Sequence, residues 1–167
     1  MGREPSTVEG SMVEREVPLG RVVGLDVGTK TIGVALSDPL RMLASPVHTV
    51  ARKGVRRDVA ALQELLAEHV IDVVVVGLPL ELDGSEQRSA RLARQIGVAT
   101  AEATGWELIY VDERFTSVDA ERQLIAAGAS RAKRKQVIDQ QAAVVILQSW
   151  LDHPELAWTP QDAPDGA

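Results

Sequence analysis

The run Ile71–Val76 constrains the fold of this chain more than any other segment. Four consecutive valines follow Ile71 and Asp72, and a β-branched run of this kind is typical of a strand buried on both faces. Helical spacing of apolar residues over Val55–His69 and a polar–apolar pattern over Ser85–Thr104 place candidate helices before and after it. The segment therefore predicts an α/β layer fold.

A hairpin is predicted upstream of that strand. Only Gly28, Thr29 and Lys30 separate the apolar runs Val22–Val27 and Thr31–Ser37, and so short a link requires antiparallel strands. With the remaining elements, the order β-β-β-α-β-α-β-α-α predicts a mixed five-stranded sheet flanked by helices. These remaining elements are a weaker strand over Ala44–Val50, a buried strand over Trp106–Val111, and helices over Ser117–Ala127 and from about Ala132 to Leu151.

Length and composition predict one domain with two polar ends. We expect a domain over residues 21–151, a disordered N-terminal extension over 1–20 and a flexible acidic tail over 152–167. The chain has no cysteine, which excludes disulfides and thiolate metal sites. It also has no signal-peptide pattern and no long apolar run, so we expect a cytoplasmic protein that does not enter a membrane.

The net charge of -6 is concentrated at the two ends of the chain. Residues 1–20 carry -2 and residues 152–167 carry -4, so residues 21–151 are neutral with 16 acidic and 16 basic residues. The basic residues are clustered, and local patches decide whether a polyanion can dock. Solvated helix faces are the alternative explanation of these clusters. They are Arg52, Lys53, Arg56 and Arg57, then Arg88, Arg91 and Arg94, then Arg131, Lys133, Arg134 and Lys135.

Three acids lie where strands or a helix would carry them to one edge of the sheet. Asp26 ends a buried run, Glu113 follows another, and Asp139 stands near the start of the last helix. Carboxylates gathered there are typical of a site for hard divalent cations, which support phosphodiester chemistry. Asp26 could instead belong only to a turn, and Asp139 could be an acid on the helix surface. The adjacent Asp112 and Glu113 should point to opposite sides, so only one of them should face Asp26.

Four blocks of sequence, in order, resemble the YqgF/RuvX family, the proposed Holliday junction resolvases of the ribonuclease H-like fold. Together they cover about residues 21–151. The resemblance implies a ribonuclease H-like fold and a nuclease that acts on structured nucleic acid, either Holliday junctions or the 5′ end of the pre-16S ribosomal RNA. The blocks are 24–38 (GLDVGTKTIGVALSD), 76–84 (VGLPL with Asp83-Gly84), 112–117 (DERFTS), and 135–139 with Ala142, Ala143, Ile146 and Leu147.

The resemblance also assigns residues. It implies that Asp26, Glu113 and Asp139 hold two Mg²⁺ or Mn²⁺ ions and form the catalytic site, and it selects Glu113 over Asp112. Lys30 and Arg114 are candidate substrate contacts, although Arg114 could equally pair with Asp112. The basic cluster before Asp139 is expected to line the path into the site; we take Lys133, Arg134 and Lys135 as its substrate-binding members.

Two other functions fit part of the sequence. Asp-x-Gly-Thr at residues 26–29 also begins the phosphate site of actin-like and Hsp70-like ATPases, but these need two such lobes and this chain predicts one. A domain that binds RNA or a transcription complex without cutting is the non-enzymatic alternative. For a nuclease, the expected partner is branched DNA or structured RNA, recognised by backbone and shape because only five residues are aromatic. A resolvase would need a homodimer to cut two strands symmetrically.

Overall fold

The computed structural model describes residues 19–80, 88–113, Gly128 and 131–162. Within this part, only the backbone is described for residues 131–140. The predicted helix Ser117–Ala127 and the first residues of the predicted helix Ser85–Thr104 lie outside the described residues.

A mixed five-stranded sheet forms the centre of the molecule, as the sequence predicts. The spatial order is β3-β2-β1-β4-β5. Strand β2 pairs antiparallel with both β1 and β3, whereas β1 pairs with β4, and β4 with β5, in parallel. The strands are β1 (Arg21–Val27), β2 (Thr31–Ser37), β3 (Ala44–Ala51), β4 (Ile71–Leu78) and β5 (Glu107–Asp112).

Three α-helices and a short 3₁₀ helix surround the sheet in the described ranges. They are α1 (Val55–Leu65), α2 (Arg88–Thr104), α3 (Arg131–Asp152) and the 3₁₀ helix Pro154–Leu156. The first helix ends earlier than the predicted His69, because the backbone leaves helical geometry at Leu66, whose side chain is buried in the core. Gly105 ends α2 as expected, with a φ of 82° that favours glycine. None of these helices is both long and apolar enough to span a bilayer.

Alternate residues of the strands face two different helical layers. Val74, Val76, Leu108 and Tyr110 belong to a core cluster that includes residues of α1 and α2. Their neighbours pack in a second cluster with Ala143, Ile146 and Leu147 of α3. The buried central strands therefore separate α1 and α2 on one face from α3 on the other.

Glycines let α3 lie directly on the sheet. A Cβ atom at Gly24 in β1 would be 2.7 Å from Cβ of Leu147 and 3.1 Å from the carbonyl oxygen of Ala143. The strand predicted over Ile71–Val76 does not stop there: Gly77 pairs with Val111, and β4 continues to Leu78. A glycine is accepted inside this strand because α3 and its neighbours occupy the space above it.

The segment after α3 returns to the sheet. Trp158 forms an antiparallel bridge with Tyr110, with both N–H···O distances at 2.8 Å. Part of the segment for which the sequence predicts a flexible acidic tail, residues 152–167, is thus paired with β5, and the flexibility of this segment stays a prediction.

Candidate active site

Asp26 and Glu113 approach each other on the α3 face of the sheet. Asp26 is the sixth residue of β1 and pairs with Gly33 of β2. By strand alternation it lies on the same face as Gly24, which packs under α3. Glu113 directly follows β5 and is two residues beyond Val111, which belongs to the α3 cluster. The ends of β1 and β5, which lie on either side of β4, thus bring the two carboxyl groups together.

The two carboxyl groups share a hydrogen bond, and the environment favours the protonated form of Glu113. Burial, the negative charge of Asp26, the hydrogen bond to Asp26 and the charge of Asp112 together raise the pKa of Glu113 to about 8, with burial the largest cause. Two adjacent carboxylates cannot both be ionised at low cost unless a positive charge joins them. A hard divalent cation prefers carboxylate oxygens as ligands and could supply that positive charge.

Gly77 provides the space that Glu113 occupies. A Cβ atom at Gly77 would lie 2.8 Å from both Cγ and Oε1 of Glu113, and 2.6 Å from Cδ1 of Ile146. Real Cβ contacts are not this short. The Glu113 side chain therefore crosses the bare backbone of β4 to reach Asp26. This role of Gly77 was not predicted; a glycine next to a run of β-branched residues is the signal in the sequence that could have indicated it.

Asp112 follows the opposite alternation. It is buried, with 7% exposure, and comes between Val111 of the α3 cluster and Glu113. Its alternate neighbour Tyr110 belongs to the core cluster on the other face. Glu113 makes the hydrogen bond with Asp26, and strand alternation places Asp112 on the other face of the sheet. That Glu113 is a metal ligand stays a prediction.

The side chain of Asp139 lies outside the described residues. Its backbone is in α3, one turn before Ala143. A Cβ atom at Gly33 would lie 3.6 Å from Cβ of Ala143 and 3.7 Å from Cβ of Asp26, so this part of α3 passes over the site. A kink in α3 at Gln141 lies between Asp139 and Ala143. Among the described side chains there is no group of three acids, histidines or cysteines that could hold a metal ion.

The predicted substrate contacts are described only in part. Lys30 is exposed in the β1–β2 turn, four residues after Asp26. Arg114 lies outside the described residues. Lys133, Arg134 and Lys135 occupy the first turns of α3, where only the backbone is described.

Comparison with known proteins gives one family and a related fold. The family model described as RuvX, Holliday junction resolvase, matches residues 20–153. A proposed pre-16S rRNA nuclease of Myxococcus xanthus is 46% identical over 145 residues, which cover 85% of this chain and 96% of that relative. A relative from Rhodopseudomonas palustris with the same name is 48% identical over 133 residues, covering 80% of this chain and 83% of that relative.

Among solved structures, the chain is similar to RuvC of Thermus thermophilus in complex with a Holliday junction substrate. The TM-score is 0.53 at 19% sequence identity, with 81% of this chain and 95% of that chain covered. At this identity the likeness shows the ribonuclease H-like fold alone. The match of the family model over nearly the whole described chain goes further: the chain belongs to the RuvX family of Holliday junction resolvases.

Proposed function

We propose that this nuclease hydrolyses phosphodiester bonds in structured RNA, at the 5′ end of the 16S ribosomal RNA precursor, with the help of divalent cations. The observation that carries the proposal is the contact between the carboxyl groups of Asp26 and Glu113 on the α3 face. The names of the two relatives above, each more than 40% identical, support this RNA as the substrate.

The residues at the site fit a divalent cation. The mutual repulsion of Asp26 and Glu113 is relieved either by a proton, as the raised pKa of Glu113 reflects, or by a metal ion. We propose that Asp26, Glu113 and Asp139 would hold Mg²⁺ or Mn²⁺. When bound, such ions supply an activated water and stabilise the leaving 3′ oxygen.

The protein's own residues then have positioning roles. Asp26 is fixed within β1 by pairing with Gly33, and Glu113 is fixed by the space above Gly77. Because both carboxyl groups are anchored on sheet backbone, their separation is set before substrate arrives, and preorganisation of this kind favours catalysis. We propose that Lys30, Arg114, Lys133, Arg134 and Lys135 neutralise substrate phosphates around them.

The family description favours a second substrate, a four-way DNA junction. The same carboxylate chemistry would cut a DNA phosphodiester, so the substrates are distinguished by affinity and rate. A junction resolvase would act as a homodimer, since symmetric cleavage of two strands requires two sites related by a twofold axis.

A nuclease assay with matched variants tests the proposal. Purified protein is incubated with an RNA that carries the precursor 5′ extension and, separately, with a four-way DNA junction, in Mg²⁺, Mn²⁺ or EDTA. We expect metal-dependent cleavage of the RNA by the wild-type protein and none by Glu113→Gln. Asp112→Asn, one residue away, is the control and should retain cleavage or lose stability instead.

The outcomes separate the candidates. Faster cutting of the junction than of the RNA would assign the substrate to DNA recombination. Binding of either nucleic acid without cleavage in any metal would contradict a catalytic role. If Asp112→Asn were the folded, inactive variant and Glu113→Gln were active, the assignment of the metal ligand would be wrong.

A further inference from the structure

Arg52, which directly follows β3, connects three parts of the chain. Its backbone N–H donates to the carbonyl of Lys30 at 2.8 Å. Its guanidinium donates from Nη1 to the carbonyl of Gly28 at 2.9 Å and from Nε to Oδ2 of Asp58 at 2.7 Å. The Arg52 side chain is only 12% exposed. The β1–β2 turn is therefore held by a residue that lies outside the hairpin.

Asp58 fixes the guanidinium in turn. This carboxylate in the first turn of α1 is 1% exposed, and its second oxygen accepts the backbone N–H of Lys53 at 2.8 Å. A buried carboxylate with both oxygens engaged leaves its partner little freedom. The planar fork of Arg52 can reach the carboxylate and the Gly28 carbonyl together, which a single ammonium group does not reproduce.

The turn that Arg52 holds begins two residues after Asp26. The N–H of Gly28 bonds to the carbonyl of Thr31 at 2.8 Å, the Arg52 guanidinium binds the carbonyl of Gly28, and the Arg52 backbone N–H binds that of Lys30. Asp26 does not depend on these bonds, because it pairs with Gly33 within the sheet. The direct effect of Arg52 thus falls on the turn that presents Lys30.

We propose that Arg52 is a positioning residue that fixes the β1–β2 turn and thereby holds Lys30 against a phosphate of the nucleic-acid substrate. The inference rests on the proposed function, since it requires that nucleic acid reaches the Asp26 end of the sheet. Arg52 itself is too enclosed by Gly28 and Asp58 to be the main phosphate contact. It acts through the conformation of the turn.

The opposite end of the same sheet offers a matched control. Arg41 also links a backbone carbonyl to an aspartate, with Nε 3.0 Å from the oxygen of Gly20 and Nη2 3.7 Å from Oδ2 of Asp72. Gly20 directly precedes β1, whereas Asp26 is near its other end. Arg41→Gln therefore removes the same kind of link far from the candidate site.

The test is a fluorescence-anisotropy titration of a fluorescein-labelled RNA hairpin with a single-stranded 5′ extension, in Ca²⁺ to limit cleavage. We expect Arg52→Gln to weaken binding roughly tenfold, the effect of removing one charge-assisted phosphate interaction, and Arg41→Gln to bind as the wild type does. Mn²⁺ affinity, measured by calorimetry, should stay within about twofold in both variants. Arg52→Lys keeps the charge and should still weaken binding, which preserves the test if Arg52→Gln does not fold.

A double-mutant cycle with Lys30 decides whether Arg52 acts through the turn. Lys30→Gln should weaken binding as much as Arg52→Gln does, and combining them should add nothing further. Wild-type affinity in both Arg52 variants, or additive losses in the double variant, would overturn the inference. A wild-type protein that binds no RNA or DNA junction at all would instead refute the proposed function on which the inference depends.

Discussion

Substitution of Gly77 by alanine should move Glu113 away from Asp26. The new Cβ would lie 2.6 Å from Cδ1 of Ile146 and 2.8 Å from Oε1 of Glu113. Reaching ordinary contact near 3.4 Å requires these atoms to shift by roughly 0.6 to 0.8 Å. Because Ile146 is buried in the core, the adjustment falls mainly on the Glu113 carboxyl group.

The magnitude follows from that displacement. A misplacement of about 1 Å in a catalytic group can lower the rate about 100-fold. Overpacking in a core typically lowers the free energy of unfolding by about 1–3 kcal/mol. We therefore expect Gly77→Ala to stay folded at 25 °C, to lose about 100-fold in cleavage rate, and to bind Mn²⁺ more weakly.

Gly33→Ala is the matched control. Gly33 is closer in register to Asp26, yet its added Cβ would make only ordinary contacts of 3.6 and 3.7 Å with Ala143 and Asp26. Metal affinity, read by calorimetry, and urea denaturation should change little in this variant. Equal metal affinity and cleavage rate in Gly77→Ala and wild type would refute the reasoning that the bare backbone of β4 positions Glu113.

Three further predictions concern charge. The folded-state pKa of Glu113 is raised from the ordinary 4.5 to about 8. In EDTA, the free energy of unfolding of the wild type relative to Glu113→Gln should therefore fall as pH rises from 4.5 to 8, by about 3 kcal/mol at pH 7. A difference between the two proteins that stays constant from pH 5 to 8 in urea denaturation would contradict this prediction. Asp26→Asn should lower Mn²⁺ affinity at least about tenfold by calorimetry, because asparagine keeps the shape and removes the charge; unchanged affinity would refute the site. Replacing Lys133, Arg134 and Lys135 with glutamine should weaken RNA binding. The log–log slope of affinity against salt concentration should become less steep by about 0.7 to 0.9 for each phosphate that is no longer neutralised. An unchanged slope in anisotropy titrations would show that these residues form a solvated helix face that does not contact the substrate.

The periodicity of the strands predicted the architecture because each strand is decided locally. The valines of Ile71–Val76 are buried on both faces, and the three-residue link after Val27 permits only an antiparallel hairpin. Alternation along β5 likewise separates Asp112 from Glu113, since a two-residue period leaves one of two neighbours on each face. Such signals need no knowledge of distant contacts.

Contacts between residues that are far apart in the chain could not be predicted from the sequence. The role of Gly77 was not predicted, because the residues that approach it, Glu113 and Ile146, are more than thirty positions away in the chain. The hydrogen bonds from Arg52 to Gly28 and Asp58 were not predicted, because Arg52 lies in a cluster of basic residues that is also typical of a solvated surface. Similarly, nothing local in the polar stretch around Trp158 indicates that its backbone pairs with Tyr110.

The pairing of Trp158 with Tyr110 affects the tendency of the protein to aggregate through its sheet edges. An open sheet edge offers unpaired N–H and C=O groups to the edge of another molecule, which favours aggregation. At the β5 edge, Trp158 occupies both hydrogen-bonding groups of Tyr110. At the other edge, Pro46 and an irregular register opposite Val34 and Ala35 interrupt β3, and both features discourage strand addition. The segment after α3 therefore covers part of the β5 edge. Removal of Trp158 and the residues after it would favour self-association of the protein at high concentration.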